Sequence, residues 1–224
     1  MIWPTVDAIS QQVQLPDGYR YQPLRRSDVP ALIAAISTWY PDISVGAASS
    51  YLESDFYETT ATLDGEVERD LWIVLIRYGQ ELAGFGSWDR ERAAQTLYAR
   101  FGVVSPNHRD AKLAIRLVQF GEATARVMGA GFIYAMATLK SPYMQQALER
   151  AGYRLLGFAP GYDRELVAPG VVKRVYEAYY AKVLVSEDEL LQPDTSNMTP
   201  KTKELFELLF PETTRCLLYT SDAA

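Results

Sequence analysis

The sequence predicts an α/β (α+β) fold in which about seven strands are flanked by helices. Three observations carry that expectation. Leu71–Ile76, Leu82–Trp88 and Thr96–Val104 are strand-length apolar runs joined by short polar turns, so they form an antiparallel meander. At Val103–Ala114 an apolar run ends, a Ser105-Pro106-Asn107 turn follows, and a long helical repeat begins. The whole order over residues 19–185 reads β-α-α-β-β-β-α-β-α-β-β, with no internal repeat.

Residues 1–18, with Pro4, Pro16 and Asp17-Gly18, read as an N-terminal arm and a turn. Tyr19–Leu24 alternates like a strand, and Pro23 marks it as an edge or an end. Ser27-Asp28 offers an N-cap, Pro30 sits in the first turn, and Ala31–Trp39 is helical until Pro41-Asp42 breaks it. A second helix is expected over Ala47–Thr59, carrying Glu53, Asp55 and Glu58. In the meander, Gly84 and Gly86 suggest a bulge or a close approach by backbone or ligand. Asp89–Gln95 reads as a polar connection.

From Asp110 to Met128, Leu113, Leu117, Phe120, Thr124 and Met128 fall on one helical stripe, which Gly129 and Gly131 stop. Phe132–Thr138 is a buried strand, Tyr143–Arg150 a helix opened by Ser141-Pro142, and Tyr153–Phe158 a strand. A loop with Gly161, Pro169 and Gly170 then leads to a long strand over Val171–Val185. Residues 186–213 form an acidic linker and a Thr199-capped amphipathic helix, Lys201–Phe210, suited to packing on the body or on a second copy in a homodimer. Residues 214–224 resemble translated sequencing-adaptor DNA joined to a truncated gene, as in assembled environmental reads. They are set aside as a non-native tail, Cys216 included.

Composition narrows the function classes. With 28 acidic and 22 basic residues the net charge is −6, which disfavours a nucleic-acid partner and suits a cationic small molecule. No apolar run approaches the roughly 18 residues that span a bilayer, and no basic leader precedes Asp7, so no membrane partner is expected and the cytoplasm is the default. One cysteine and one histidine leave no material for a Cys/His metal cluster, so no metal is expected.

The junction at residues 103–114 is where chemistry is first sought. A helix start leaves free N–H groups, and its dipole favours an anion such as phosphate. Val104-x-Pro106 followed by Arg109-Asp110-Ala111-Lys112-Leu113-Ala114 resembles the acyl-CoA segment of the GNAT acetyltransferase superfamily. There, Val-x-Pro precedes Arg/Gln-x-x-Gly-x-Gly/Ala, whose amides hold the pyrophosphate. Arg109 and Ala114 match, and Lys112 replaces the middle glycine. Downstream, Ser141-Pro-Tyr-Met-Gln-Gln-Ala147-Leu148-Glu-Arg150-Ala-Gly152-Tyr153 resembles that family's Asn-x-x-Ala-x-x-Leu-Tyr-x-Lys-x-Gly-Phe. Ser141 stands for the Asn, and Leu148 for the tyrosine that often protonates the leaving thiolate.

The resemblance spans about residues 19–185. It implies one mixed, mostly antiparallel GNAT-like sheet and acetyl-CoA (or another acyl-CoA) as co-substrate. Val103, Val104, Arg109, Asp110, Ala111, Lys112, Leu113 and Ala114 would bind it, with backbone N–H groups near Val103 and Val104 polarising the thioester carbonyl. Glu53, Asp55, Glu58 and Asp89 would line the acceptor side and supply a base through water, and Tyr143, one turn from Ser141, could replace the missing acid. His108, in the turn before the cofactor helix, reads as a loop histidine. Aromatic residues such as Trp39, Tyr51, Tyr162 and Tyr179 would favour a bulky or amphipathic acceptor if they face the cleft.

The function so implied is acetyl transfer by direct attack to a primary amine of a small molecule of aminoglycoside or polyamine type, which includes an antibiotic-resistance role. A long-chain N-acyl transferase on the same fold, and a catalytically silent ligand-binding domain, are the alternatives.

Overall fold

The computed structural model describes residues 1–211. The chain divides into two compact units, Met1–Leu184 and the segment from Val185 on. In the first, β1 (Tyr19–Pro23), β3 (Leu71–Tyr78), β4 (Glu81–Glu91), β5 (Thr96–Val104), β6 (Phe132–Thr138), β8 (Val171–Val183) and β7 (Arg154–Ala168) lie side by side in that order. An eighth strand, β2 (Ala61–Thr62), runs parallel to the start of β3 and is too short to leave a sequence signal. The β5–β6 pair is also parallel; the other ladders are antiparallel.

Helices cover both faces. β3 sends Trp72, Val74 and Ile76 to one face, where α1 (Val6–Ser10), α4 (Leu113–Val127) and α5 (Tyr143–Arg150) build a core around Trp88, Leu117 and Phe120. It sends Leu71, Ile73 and Leu75 to the other, where α2 (Val29–Trp39), the 3-10 segment Ala47–Leu52 and α3 (Ser54–Thr60) bury Leu32, Ile36, Tyr51 and Tyr57. Two buried faces explain why β3 reads as an unbroken apolar run.

The structure corrects several boundaries. The N-terminal arm contains α1, capped by Thr5 Oγ1 accepting from the Ala8 N–H, and Trp3 stacks on Trp72 at 5.3 Å. The helix expected over 47–59 is broken into a 3-10 segment, Ala47–Leu52, and α3, with Glu53 extended between them. There the Tyr57 hydroxyl donates to the Tyr51 carbonyl at 2.7 Å, taking an acceptor that a continuous helix would use.

β4 continues through Asp89 and Arg90 into the expected polar connection. The buried Arg90 can sit in a strand because Glu68 and Asp70 pair with it. β7 runs through Pro160 and Gly161, so the expected loop shrinks to a turn at Pro169-Gly170. β7 is an edge strand, and register shifts between Ala159 and Asp163 absorb the proline. Gly84 admits the backbone of Val103, whereas Gly86 admits the Trp88 ring.

The largest correction lies at the opening of α4. The helix starts at Leu113, not Asp110; Pro106–Ala111 is a 3-10 segment, and Lys112 between them is left-handed, φ 56 and ψ 30. In the second unit, α6 (Pro200–Leu209) is capped by Thr199 Oγ1, which accepts from the Thr202 N–H at 3.3 Å. The tail at 214–224 lies outside the described residues.

Candidate active site

The parallel pairing of β5 and β6 covers only Thr96–Ala99 against Phe132–Ala135. Beyond it the strands part. β5 stays with β4 up to Val104, while Met136–Thr138 of β6 stays with β8. Arg100 is the cause: it is the extra residue of a bulge, because Trp88 faces Ala99 while Ser87 faces Phe101. The buried Ser87 hydroxyl fixes the bulge, bonding the Phe101 carbonyl at 2.7 Å and the Tyr51 hydroxyl at 2.6 Å. The edge of β5 facing β6 is thereby left without a partner strand among the described residues over Gly102–Val104. An extended chain with amide groups can pair there as an added strand does.

The opening leads into the turn before α4. Among the described residues, no side chain caps the start of α4, so its first N–H groups stay available. Arg109, Asp110 and Lys112 are exposed and form no hydrogen bond or ion pair among the described residues, while Leu113 is buried in the core. Val104, Ala111 and Ala114 pack against that core. The turn therefore presents two uncommitted cations and one uncommitted carboxylate, Asp110, beside the helix start, so one net positive charge and free N–H groups are offered to a pyrophosphate. His108 is buried in the same turn as a pin. Its Nδ1 lies 2.9 Å from the Tyr19 hydroxyl, its Nε2 lies 3.2 Å from Glu81, and its ring meets Tyr78.

This strand order, with β5 and β6 parted above such a turn, was compared with known proteins. No protein-family model matches the sequence, and no curated protein matches it. Solved structures do. The spermidine/spermine N-acetyltransferase from Vibrio cholerae, in a mutant form, aligns at TM-score 0.58 and 11% identity over 75% of this chain and 95% of that one. A protein from Desulfovibrio desulfuricans assigned to the GNAT acetyltransferase family aligns at 0.57 and 12%, covering 75% and 99%. Nourseothricin acetyltransferase aligns at 0.51 and 19%, covering 74% and 98%.

The chain has the GNAT fold.

Within this GNAT fold, the face of β5, β6 and β8 toward α2 and α3 is lined by Tyr98, Tyr134 and Tyr179, whose rings stack at 4.7 and 5.4 Å. The candidate residues on this side are placed unequally. Glu53 and Asp55 are exposed at the start of α3, and Glu58, also exposed, pairs with Arg26. Asp89 is ion-paired to Arg100 at 3.0 Å; burial raises its pKa, and Arg100 opposes that rise. Tyr143 is 71% exposed at the first position of α5, and Ser141 gives its carbonyl to the Gln145 amide. Leu148 is buried in the core, so no hydroxyl faces the opening from its position.

Sequence reasoning passed over a second carboxylate group, on the second half of β7 and the middle of β8. Lys140 bridges Asp42 at 2.7 Å and Glu165 at 2.6 Å, and the Tyr40 hydroxyl donates to Glu165 at 3.0 Å. Asp163 accepts from the Ala47 and Arg164 N–H groups. Glu177, opposite Thr138 at the end of β6, is only 8% exposed. Burial, with Glu165 and Asp163 nearby, pushes its carboxyl up to about 7. Its sequence signal was slight: it is the one acid within Val171–Val183. Among the described residues, no group of His, Cys, Asp or Glu could hold a metal ion, and no helix is long and apolar enough to cross a membrane.

Proposed function

We propose that the chain is an acetyl-CoA-dependent N-acetyltransferase acting on a primary amine of a small, cationic molecule. The reading rests above all on the opening between β5 and β6, which ends in a turn with unpaired Arg109 and Lys112 and an uncapped helix. The parted strand edge suits the amide-bearing arm of the donor, and the turn suits its pyrophosphate. The N–H groups near Val103 and Val104 border the opening and can stabilise the oxyanion that develops at the thioester carbonyl. The amine attacks that carbonyl directly, and CoA leaves as the thiol.

Cationic acceptors are favoured by the carboxylates Asp42, Asp163, Glu165 and Glu177, set against Lys140. The solved structures of this fold include a spermidine/spermine and a nourseothricin acetyltransferase, which supports an amine acceptor.

Thermal shift with acetyl-CoA, followed by thiol release over a panel of amines, tests the reading. Stabilisation by acetyl-CoA and amine-dependent thiol release are expected. Faster release from long-chain acyl-CoA would move the assignment to a long-chain N-acyl transferase. Neither binding nor release would leave a silent domain.

A further inference from the structure

Resting on the acetyl-transfer reading, we propose that Glu177 takes the proton from the acceptor amine and that the carboxylates beside it select an ammonium group. The first support is elimination. Asp89 is bound to Arg100, Asp42 and Glu165 to Lys140, and Glu91 to the Tyr134 hydroxyl. Asp163 accepts two backbone N–H groups at Oδ1 and is less buried than Glu177. Glu53 and Asp55 are in open solvent. Glu177 alone in this region is more than nine-tenths buried and forms no hydrogen bond or ion pair among the described residues. Its oxygens are not sealed off, since neither is among the fully buried unpartnered atoms. A buried carboxylate without a partner costs folding energy, which is retained where the group serves a ligand.

The second support is position. Glu177 faces Thr138 across the β6–β8 ladder, so the two side chains share a face with Met136, Tyr134 and Tyr179. That face borders the opening, and Glu177 stands one strand spacing, about 4.8 Å, from β6. The charged and titratable groups around it are Asp163 and Glu165 of β7, Tyr40 and Asp42 beyond α2, Lys140 after β6, and the exposed Lys173 of β8 opposite Glu165. Glu177 and these three carboxylates outnumber the two lysines, so the region keeps an excess of negative charge that an arriving ammonium reduces.

The chemistry closes on these groups. The Glu177 carboxylate accepts one proton from the substrate ammonium. The freed nitrogen pair forms the C–N bond at the thioester carbonyl, and the C–S bond breaks with its electron pair on sulfur. The second nitrogen proton neutralises the thiolate, and Glu177 returns its proton to water. A carboxyl poised at about 7 is ionised often enough to act and basic enough to pull.

The test compares wild type with Glu177→Gln, using spermidine as probe, by kcat/KM against pH and by calorimetric titration of acetyl-CoA. For wild type, kcat/KM is expected to rise to about pH 7 and then level. For E177Q it is expected to fall by about 10²–10³-fold at neutral pH and to climb steadily toward the amine's own pKa, since only amine already neutral in solution reacts. The Kd for acetyl-CoA should stay within about twofold, because Glu177 lies outside the donor site, which also verifies that the variant is folded. Wild-type turnover with an unchanged E177Q profile overturns the role of Glu177. Turnover of uncharged or anionic amines in preference to spermidine overturns the selection of ammonium. A wild-type protein that neither binds acetyl-CoA nor releases thiol overturns the acetyl-transfer reading itself, and this assignment with it.

Discussion

The Tyr98 ring on β5 and the Tyr134 ring on β6 lie face to face, 4.7 Å apart and within 11° of parallel, one pair before Ala99 and Ala135 end the ladder between the two strands. They clamp the strands just before Arg100 drives them apart. Tyr134→Ala should cost about 2 kcal/mol in denaturant unfolding, below the roughly 3–5 kcal/mol of a fully buried aromatic because the ring is half-exposed. It should also weaken acetyl-CoA binding several-fold. Tyr134→Phe keeps the stack and loses only the bond to Glu91, so its cost should stay within about 1 kcal/mol.

Lys112 holds a left-handed conformation that penalises any side chain with a Cβ. Lys112→Gly should therefore raise stability by about 1 kcal/mol in thermal or denaturant unfolding. Acetyl-CoA affinity should hold or improve if the bend and its N–H groups do most of the binding. A collapse of affinity on the same substitution would mark the ammonium as a phosphate ligand.

These two sites differ in how far they could be read from the sequence. The limits of Thr96–Val104 and Tyr143–Arg150 agree residue for residue with the structure, because periodicity and flanking turn residues are local. The left-handed turn at Lys112 was hidden. Its residue type gives no hint of positive φ, and the polar run Asn107–Asp110 before it carries no periodicity that would set the helix start. The resemblance placed the glycine of the motif at this position, and the backbone there is one that glycine favours. β7 was cut short because Pro160 and Gly161 look like a loop when the bulge that absorbs them depends on β8. Glu177 was missed for a similar reason: its isolation follows from Glu165 and Asp163 being engaged by Lys140, Tyr40 and Ala47, all distant in sequence.

Trp88 sets a strict size limit where α4 crosses the sheet. A Cβ on Gly121 would lie 2.2 Å from the indole Nε1, and one on Gly86 would lie 2.7 Å from the far edge of the same ring. Gly121→Ala should destabilise by about 3 kcal/mol, in the range for overpacked cores, despite the better helix propensity of alanine. Pairing it with Trp88→Phe should recover part of the loss, measured by a double-mutant cycle.

Glu177 also predicts a pH dependence of stability. Its carboxyl is near 7 in the folded chain against an ordinary value of 4.5, so between those values the folded chain holds a proton that the unfolded chain has released. Stability from this group is full below about pH 4.5 and is lost as pH rises through 7. Unfolding at pH 5 and pH 8 should show wild type losing roughly 2 kcal/mol more than Glu177→Gln across that interval. Equal losses would mean that the carboxyl titrates normally.

The most direct test of the central claim is mass spectrometry of the acceptor after incubation of the full chain with acetyl-CoA and spermidine. An enzyme working through the β5–β6 opening converts the amine to its acetamide, with one thiol released per acetyl group transferred, and acetylation is lost when the donor is replaced by free acetate. Unmodified spermidine and the same result across a panel of aminoglycosides and other primary amines, with acetyl-CoA left intact, would contradict it.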